Sequence, residues 1–269
     1  MAQADCPIDL FLAIWPTIFV LDLARYLLTA STLVVVLTAF AGPLANRRIQ
    51  SRKASPQDMR REIGYSLGTV LLFSLVGFSV YLGSRHGLFN IYSGEIPSAG
   101  RLSTEFIAIV LLHDAYFYWA HRAMHTRWLF RRVHRLHHKS RTPTPWAAYA
   151  FAPPESVLEA GILPVAAFLL PLHDVTVLLF VTHMIVRNVI GHAGIELFPS
   201  WWLKAPLLKW ITTTTHHDLH HSHGGYNFGL YFTWWDKWMK TEHPEYATHF
   251  LAATRSACTI NQTMKENKL

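Results

Sequence analysis

Twenty consecutive residues, Ile63 to Leu82 (IGYSLGTVLLFSLVGFSVYL), carry no charge. About 20 apolar residues in an α-helix are what the hydrocarbon core of a bilayer requires. A second uncharged run, Tyr26 to Phe40, reaches spanning length with its neighbours, and a third extends from Phe106 to Ala120. Val157–Leu172 and Val175–Ile190 are each short for a full span and are separated by His173-Asp174. Together they read as a helical hairpin that crosses and returns. Residues 8–21 are apolar but contain Asp9 and Pro16, and read as an interfacial or leading helical segment. No basic segment precedes this first apolar stretch, so a secretory signal is not expected. Charged residues make up only 15% of the chain, against about 25% in soluble domains. The expected fold is therefore all-α: a multi-pass transmembrane helix bundle of about four crossings, the last two a short hairpin.

The basic residues come in blocks. Asn46 to Arg61 holds six, and Arg127 to Arg141 (RWLFRRVHRLHHKSR) is the most basic stretch of the chain. Such blocks suit an anionic cytoplasmic leaflet as well as nucleic acid. Beside membrane spans they point to the leaflet, and no nucleic-acid partner is expected. The positive-inside rule puts 46–61, 121–155 and 192–269 in the cytoplasm and 83–102 outside. Trp201 to Trp210 (WWLKAPLLKW) suits a segment lying in the headgroup plane, or a helix packed on the cap. The two cysteines, Cys6 and Cys258, form neither a disulfide framework nor a CxxC zinc motif.

That topology brings three histidine clusters to one side. They are His121-x3-His125, His134-x2-His137-His138 and His217-x2-His220-His221, the last flanked by His216 and His223. Positions i, i+3 and i+4 of an α-helix share a face, so each cluster can present its imidazoles in one direction. Imidazole suits Fe, Zn, Cu and Ni, and eight clustered histidines exceed what one ion needs. They point to two metals in a cytoplasmic histidine-rich helical cap. Asp114 and Asp218 are the carboxylates near the clusters and are expected to orient imidazoles. His113 and His183 lie inside apolar runs, where ionisable groups attract suspicion; a hydrogen-bonded core or ligand-orienting role is expected for both. His86, His173, His243 and His249 read as surface residues. The Gly224-Gly225 pair is expected to end the helix carrying the third cluster. Tyr116, Phe117, Tyr118 and Trp119 read as core and interfacial packing, or as the lining of a lipid path.

The chain resembles the fatty acid hydroxylase superfamily, and within it the sterol desaturase branch. The resemblance rests on Asp114-x3-Tyr118-Trp119-x-His121-Arg122-x2-His125, on the two later histidine clusters, on His192 in GHAGIELFP, and on NFGLYFTWWDKWMKT (Asn227 to Thr241). It divides the chain into an N-terminal transmembrane region (1–105), a hydroxylase/desaturase-like catalytic region (106–241) and a C-terminal tail (242–269). It implies an integral-membrane oxygenase with two Fe ions, although zinc can enter by mis-metallation. It further implies hydroxylation or desaturation of a sterol- or fatty-acyl-type lipid with O2 and two electrons. The substrate would enter from the bilayer. The electrons would come from a separate cytochrome b5-, ferredoxin- or rubredoxin-like donor with its reductase. The implied ligands are His121, His125, His134, His137, His138, His192, His217, His220 and His221. Some relatives have a further ligand at the position of Asn188, which could ligate through water or leave a coordination gap. Thr142 to Glu155 resembles a sterol 5-desaturase segment, with Ala152 where that segment has histidine.

Two other classes compete. A metal-ion binding or transport protein would place ligands near mid-membrane on several helices, whereas these clusters lie at helix ends. A zinc-dependent lipid hydrolase would use three ligands, an open position and a glutamate base. Here ligands are in surplus, and HRAMH lacks the glutamate of HExxH.

Overall fold

A computed structural model describes residues 7–254. Cys6, Cys258 and the tail beyond Thr254 lie outside the described residues. Eleven helices are described: α1 Pro7–Ala39, α2 Ala41–Leu44, α3 Pro56–Arg85, α4 Ala99–Met124, α5 Arg127–Leu129, α6 Pro153–Ala160, α7 Ile162–Leu169, α8 Asp174–Gly191, α9 Thr214–His223, α10 Trp234–Trp238 and α11 Tyr246–Thr254. The two strands, β1 Ile91–Tyr92 and β2 Leu172–His173, form one short parallel pair. The chain is an all-α membrane bundle carrying a helical cap.

Among the described residues, three helices are long and apolar enough to cross a membrane: 8–39, 56–85 and 174–191. Residues 8–21 and 26–40 are thus parts of one helix rather than two segments. Asp22 and Arg25, one turn apart, pair with each other inside it, which removes the reason for a break there. A capping box at Ser55 and Asp58 starts α3; it satisfies backbone donors that would otherwise be orphaned. α4 is 26 residues long, yet Glu105, His113 and Asp114 within its apolar stretch leave it outside the three apolar spans.

The expected hairpin is realised unequally. Its second leg is the continuous helix α8, but its first leg is broken into α6 and α7. Pro164 accounts for the break. Its ring lacks an N–H and would clash with the carbonyl four residues earlier, at Ala160, where α6 ends.

α1 lies along α3 and α8, and α4 lies along α7 and α8. The bundle has two cores. Ile109, Phe117, Ile162, Phe180 and Tyr231 form one; Tyr26, Val70, Tyr149, Phe151 and Ile185 form the other. Large apolar side chains on the outer face of α1, such as Leu12, Leu28 and Val35, remain exposed, as a lipid-facing surface would. In the cap, Leu219, Tyr246 and Phe250 pack together. Arg47 ties the cap to the bundle by donating to the carbonyls of Glu196 and Phe198. Trp201 to Trp210 forms two 3₁₀ turns rather than a helix, with Trp201 and Leu207 exposed and Trp202 packed on Phe198.

Two histidines expected at the surface are buried. His173 caps α8, its Nδ1 accepting from Val175 N–H at 3.2 Å. Its own N–H donates to Glu105 at 2.9 Å, and its ring lies edge-on to Tyr92. His243 N–H donates to Asn227 Oδ1, and its ring packs against His223 and Tyr226.

Candidate metal centre

Nine imidazoles converge at the cap end of the bundle, in two groups. His121, His125, His134, His138 and His220 form one, and His137, His192, His217 and His221 the other. Within each group, one ring nitrogen from every residue lies within 4.8 Å of all the others. Each i, i+4 pair serves a single group: 121 with 125, 134 with 138, and 217 with 221. The intervening i+3 residues, His137 and His220, cross to the other group. One face per cluster is thus too simple an expectation. The segment 134–138 is also not α-helical, because it passes from a π turn into a 3₁₀ turn. That irregular winding lets neighbouring residues 137 and 138 point to different groups.

The protons of four rings can be placed. Nδ1 of His121 donates to Phe228 O at 2.9 Å, that of His192 to Asn188 O at 2.8 Å, and that of His220 to Tyr226 O at 2.7 Å. Nδ1 of His134 lies 2.6 Å from Glu155 Oε1, both side chains being fully buried. In a neutral imidazole a protonated Nδ1 leaves Nε2 with a bare lone pair. Burial, then repulsion from neighbouring rings, pushes His134, His137, His217, His220 and His221 far below the usual histidine range, and His138 to about 3.

Ring nitrogens from different segments face one another at short range. Nε2 of His121 is 3.1 Å from Nε2 of His134, and Nε2 of His138 is 3.0–3.1 Å from those of His125, His134 and His220. In the second group the separations among His192, His217 and His221 are 3.1–3.2 Å. His121 and His134 both carry their protons on Nδ1, so their facing lone pairs repel unless a cation sits between them. Two nitrogens at right angles, each about 2.1 Å from one ion, are about 3.0 Å apart. The donor set therefore fits a metal in each group.

The other expected residues surround this centre without joining it. Asp114 orients no imidazole. It accepts from Tyr231 N–H, Phe232 N–H and Trp234 Nε1 at 2.7–3.2 Å, and so pins the 231–234 loop. Asp218 accepts from Gln50 rather than from a ring; its carboxyl is raised to about 7, chiefly by burial. The Asn188 side chain donates to Ala148 O at 2.7 Å, while its backbone carbonyl holds His192. His216 turns away toward Asp236, 3.4 Å off, and lies edge-on to Tyr246. His223 is exposed and contacts Ser222 and His243. His113 bonds the Tyr231 hydroxyl at 2.9 Å, and His183 lies against Phe106 and Tyr231. His113 is a core histidine, and His183 is half-buried beside it. Gly224 caps α9 with φ of 67°, as a left-handed terminus favours.

Two acids that escape a histidine-led reading support the site. Glu155 holds His134; its only sequence sign is a lone acid following Pro153-Pro154. Asp236 accepts from Phe228 N–H and Gly229 N–H at 2.8 and 2.9 Å, and thereby sets the carbonyl that takes the His121 proton. Gly229 has no room for a side chain, because an added Cβ would lie 2.5 Å from Phe232 O. Asn227, at φ 59°, donates to His216 O. The motif Asn227-Phe228-Gly229 is thus a backbone clamp on the first histidine cluster.

A model of the fatty acid hydroxylase family matches residues 106–241. Human lathosterol oxidase is 30% identical over 182 residues, covering 66% of this chain and 59% of that protein. A Delta(7)-sterol 5(6)-desaturase of Aspergillus fumigatus is 28% identical over 229 residues, covering 84% of this chain and 64% of that protein. A Delta(7)-sterol 5(6)-desaturase of Candida glabrata is 26% identical over 233 residues. The chain spans less than two thirds of the length of these relatives. No solved structure matches it. The chain belongs to the fatty acid hydroxylase family, in its sterol desaturase branch.

Proposed function

We propose that the protein is a membrane-bound di-iron oxygenase that hydroxylates or desaturates an unactivated C–H bond of a sterol- or fatty-acyl-type lipid. One observation carries this reading: nine imidazoles, all buried except the half-buried His125 and His138, bring ring nitrogens together in two adjoining groups of five and four. The five-nitrogen group exceeds the tetrahedral set zinc prefers, and neither group includes the carboxylate base of a zinc hydrolase. Both groups lie at the cap end rather than mid-membrane, unlike a transport site. The nine histidines would be the ligands, and the iron pair would supply O2 activation and two-electron oxidation of the C–H bond. The protein's own part is to fix the rings through Phe228, Asn188, Tyr226 and Glu155, to keep water out by burial, and to register the lipid. The names of the relatives favour a sterol among candidate lipids.

The basic blocks support a cytoplasmic position for the cap. Arg127, Arg131, Arg132, Arg135 and Lys139 are exposed around the first group, and suit docking of a separate acidic electron donor. The test is lipid mass spectrometry of a host expressing the wild type or the His137→Ala/His138→Ala variant. A product with one more oxygen identifies a hydroxylase, and one with two fewer hydrogens a desaturase. Absence of either, with a competent donor and candidate lipids supplied, contradicts the reading.

A further inference from the structure

Residues 47–50 form a short strap between α2 and α3, far in sequence from any of the nine histidines. The strap meets all three segments that carry the second group. Just after His192, Ile49 N–H donates to Gly194 O at 3.3 Å, and Glu196 N–H donates to Arg47 O at 2.9 Å. Arg48 and Ile195 lie opposite each other in the resulting antiparallel bridge. The Glu196 carboxylate accepts from Thr215 N–H at 2.8 Å, in the first turn of α9. Gln50 reaches the other two segments. Its Nε2 donates to Arg141 O and to Asp218 Oδ1, both at 2.8 Å, and its Oε1 accepts from Thr142 Oγ1 at 3.1 Å. Both protons of the amide and its oxygen are thereby used.

The bond to Asp218 has a direction. Successive residues of an α-helix are about 100° apart, so Asp218 lies roughly 60° from His221 and roughly 160° from His220. Gln50 thus grips the side of α9 that carries the second group and turns away from the first. The first group has its own anchors: Phe228 O, Tyr226 O and Glu155 hold the rings of His121, His220 and His134. In the second group His192 is held in this way, but Nδ1 of His221 has no partner among the described residues. Its position depends on where the backbone of α9 is placed.

We propose that Gln50 is a positioning residue for the second metal group. By joining the chain just after His137 and His138 to the Asp218 side of α9, it sets the approach of His137 to His221, whose ring centroids are 4.6 Å apart. The proposal rests on the two-metal reading and assigns part of the centre to a residue that ligates nothing. His138 belongs to the same segment, but its group keeps four other donors, so the loss of Gln50 falls chiefly on the second group.

Metal content tests it. The purified full chain is loaded with Fe(II) without oxygen and dialysed against graded chelator. The wild type should hold two ions per chain. Gln50→Leu, close in size but without the amide, should lose one ion at a chelator concentration at least about tenfold lower, and keep the other as the wild type does. Thr142→Val, which removes only the hydroxyl donor, should shift the same ion by about fivefold, the size of one net hydrogen bond; it carries the test if Gln50→Leu does not fold. Gln50→Lys, which still donates to Arg141 O and Asp218, should hold both ions nearly as tightly as the wild type. His192→Ala already lacks the second-group ion, so adding Gln50→Leu to it should change nothing further. Equal weakening of both ions, wild-type retention in the folded Gln50→Leu or Thr142→Val variant, a loss in Gln50→Lys as large as in Gln50→Leu, or further loss in the double variant overturns the proposal. Fewer than two ions in the wild type sinks the two-metal reading and this assignment with it. If the ions behave as described but no lipid is oxidised, the oxygenase reading fails and the role of Gln50 stands.

Discussion

Glu155 Oε1 lies 2.6 Å from His134 Nδ1, with both side chains fully buried. The carboxylate fixes which nitrogen of His134 faces the first group and raises the basicity of that nitrogen. Loss of such an orienting partner typically weakens metal affinity about 10–100-fold. Glu155→Ala should therefore lower metal retention during dialysis against a chelator by that factor, while Glu155→Gln, which can still accept a hydrogen bond, should lose less. Metal content per chain after graded chelation reads this directly; unchanged retention in Glu155→Ala would contradict the role.

The division of the histidines predicts unequal damage. His192→Ala leaves the second group with three donors, whereas His125→Ala leaves the first with four. Elemental analysis should show His192→Ala close to one metal per chain, with His125→Ala retaining more than that. Equal losses would contradict the five-and-four partition.

Asp114 accepts three hydrogen bonds from the 231–234 loop. Asp114→Ala would strand two backbone donors and one indole donor, at about 1–3 kcal/mol for each buried one. In detergent the variant should melt about 6 °C or more below the wild type, taking about 2–4 °C per kcal/mol. If Asp114 instead acted on a ligand, stability would stay near wild type and metal content would fall alone.

Gly229 meets the Phe232 carbonyl and the Asp236 carboxylate. Gly229→Ala should push Phe228 out of place and free the His121 proton from its acceptor. Metal content and activity should fall together, while Gly100→Ala, where an added Cβ meets nothing within 4 Å, should behave as wild type.

Much of this architecture was legible in the sequence, and the exceptions have physical causes. Uncharged runs mark spanning helices because hydrocarbon tolerates little else, so 63–82 was plain. Fusion of 8–21 with 26–40 was hidden, because Asp22 and Arg25 look like a boundary until both lie on one helical face and neutralise each other. The break at Ala160 was readable from Pro164, yet the apolar run around it masked that signal. The i, i+4 histidine pairs follow from helical spacing. The partition of His137 and His138 did not follow, since it depends on a π turn and a 3₁₀ turn that spacing cannot foretell. Asp114 and Asp218 stand beside histidines in the sequence, which suggests imidazole partners. Their true partners, the 231–234 loop and Gln50, are over a hundred positions away, and Glu155 reaches His134 through a fold-dependent contact.

The central claim is that two metal ions sit among these nine imidazoles. Anomalous diffraction from crystals of the iron-loaded protein, collected on either side of the iron absorption edge, tests it most directly. The account predicts two iron peaks, one within His121, His125, His134, His138 and His220, the other within His137, His192, His217 and His221. A single peak, or none at either group, would contradict it.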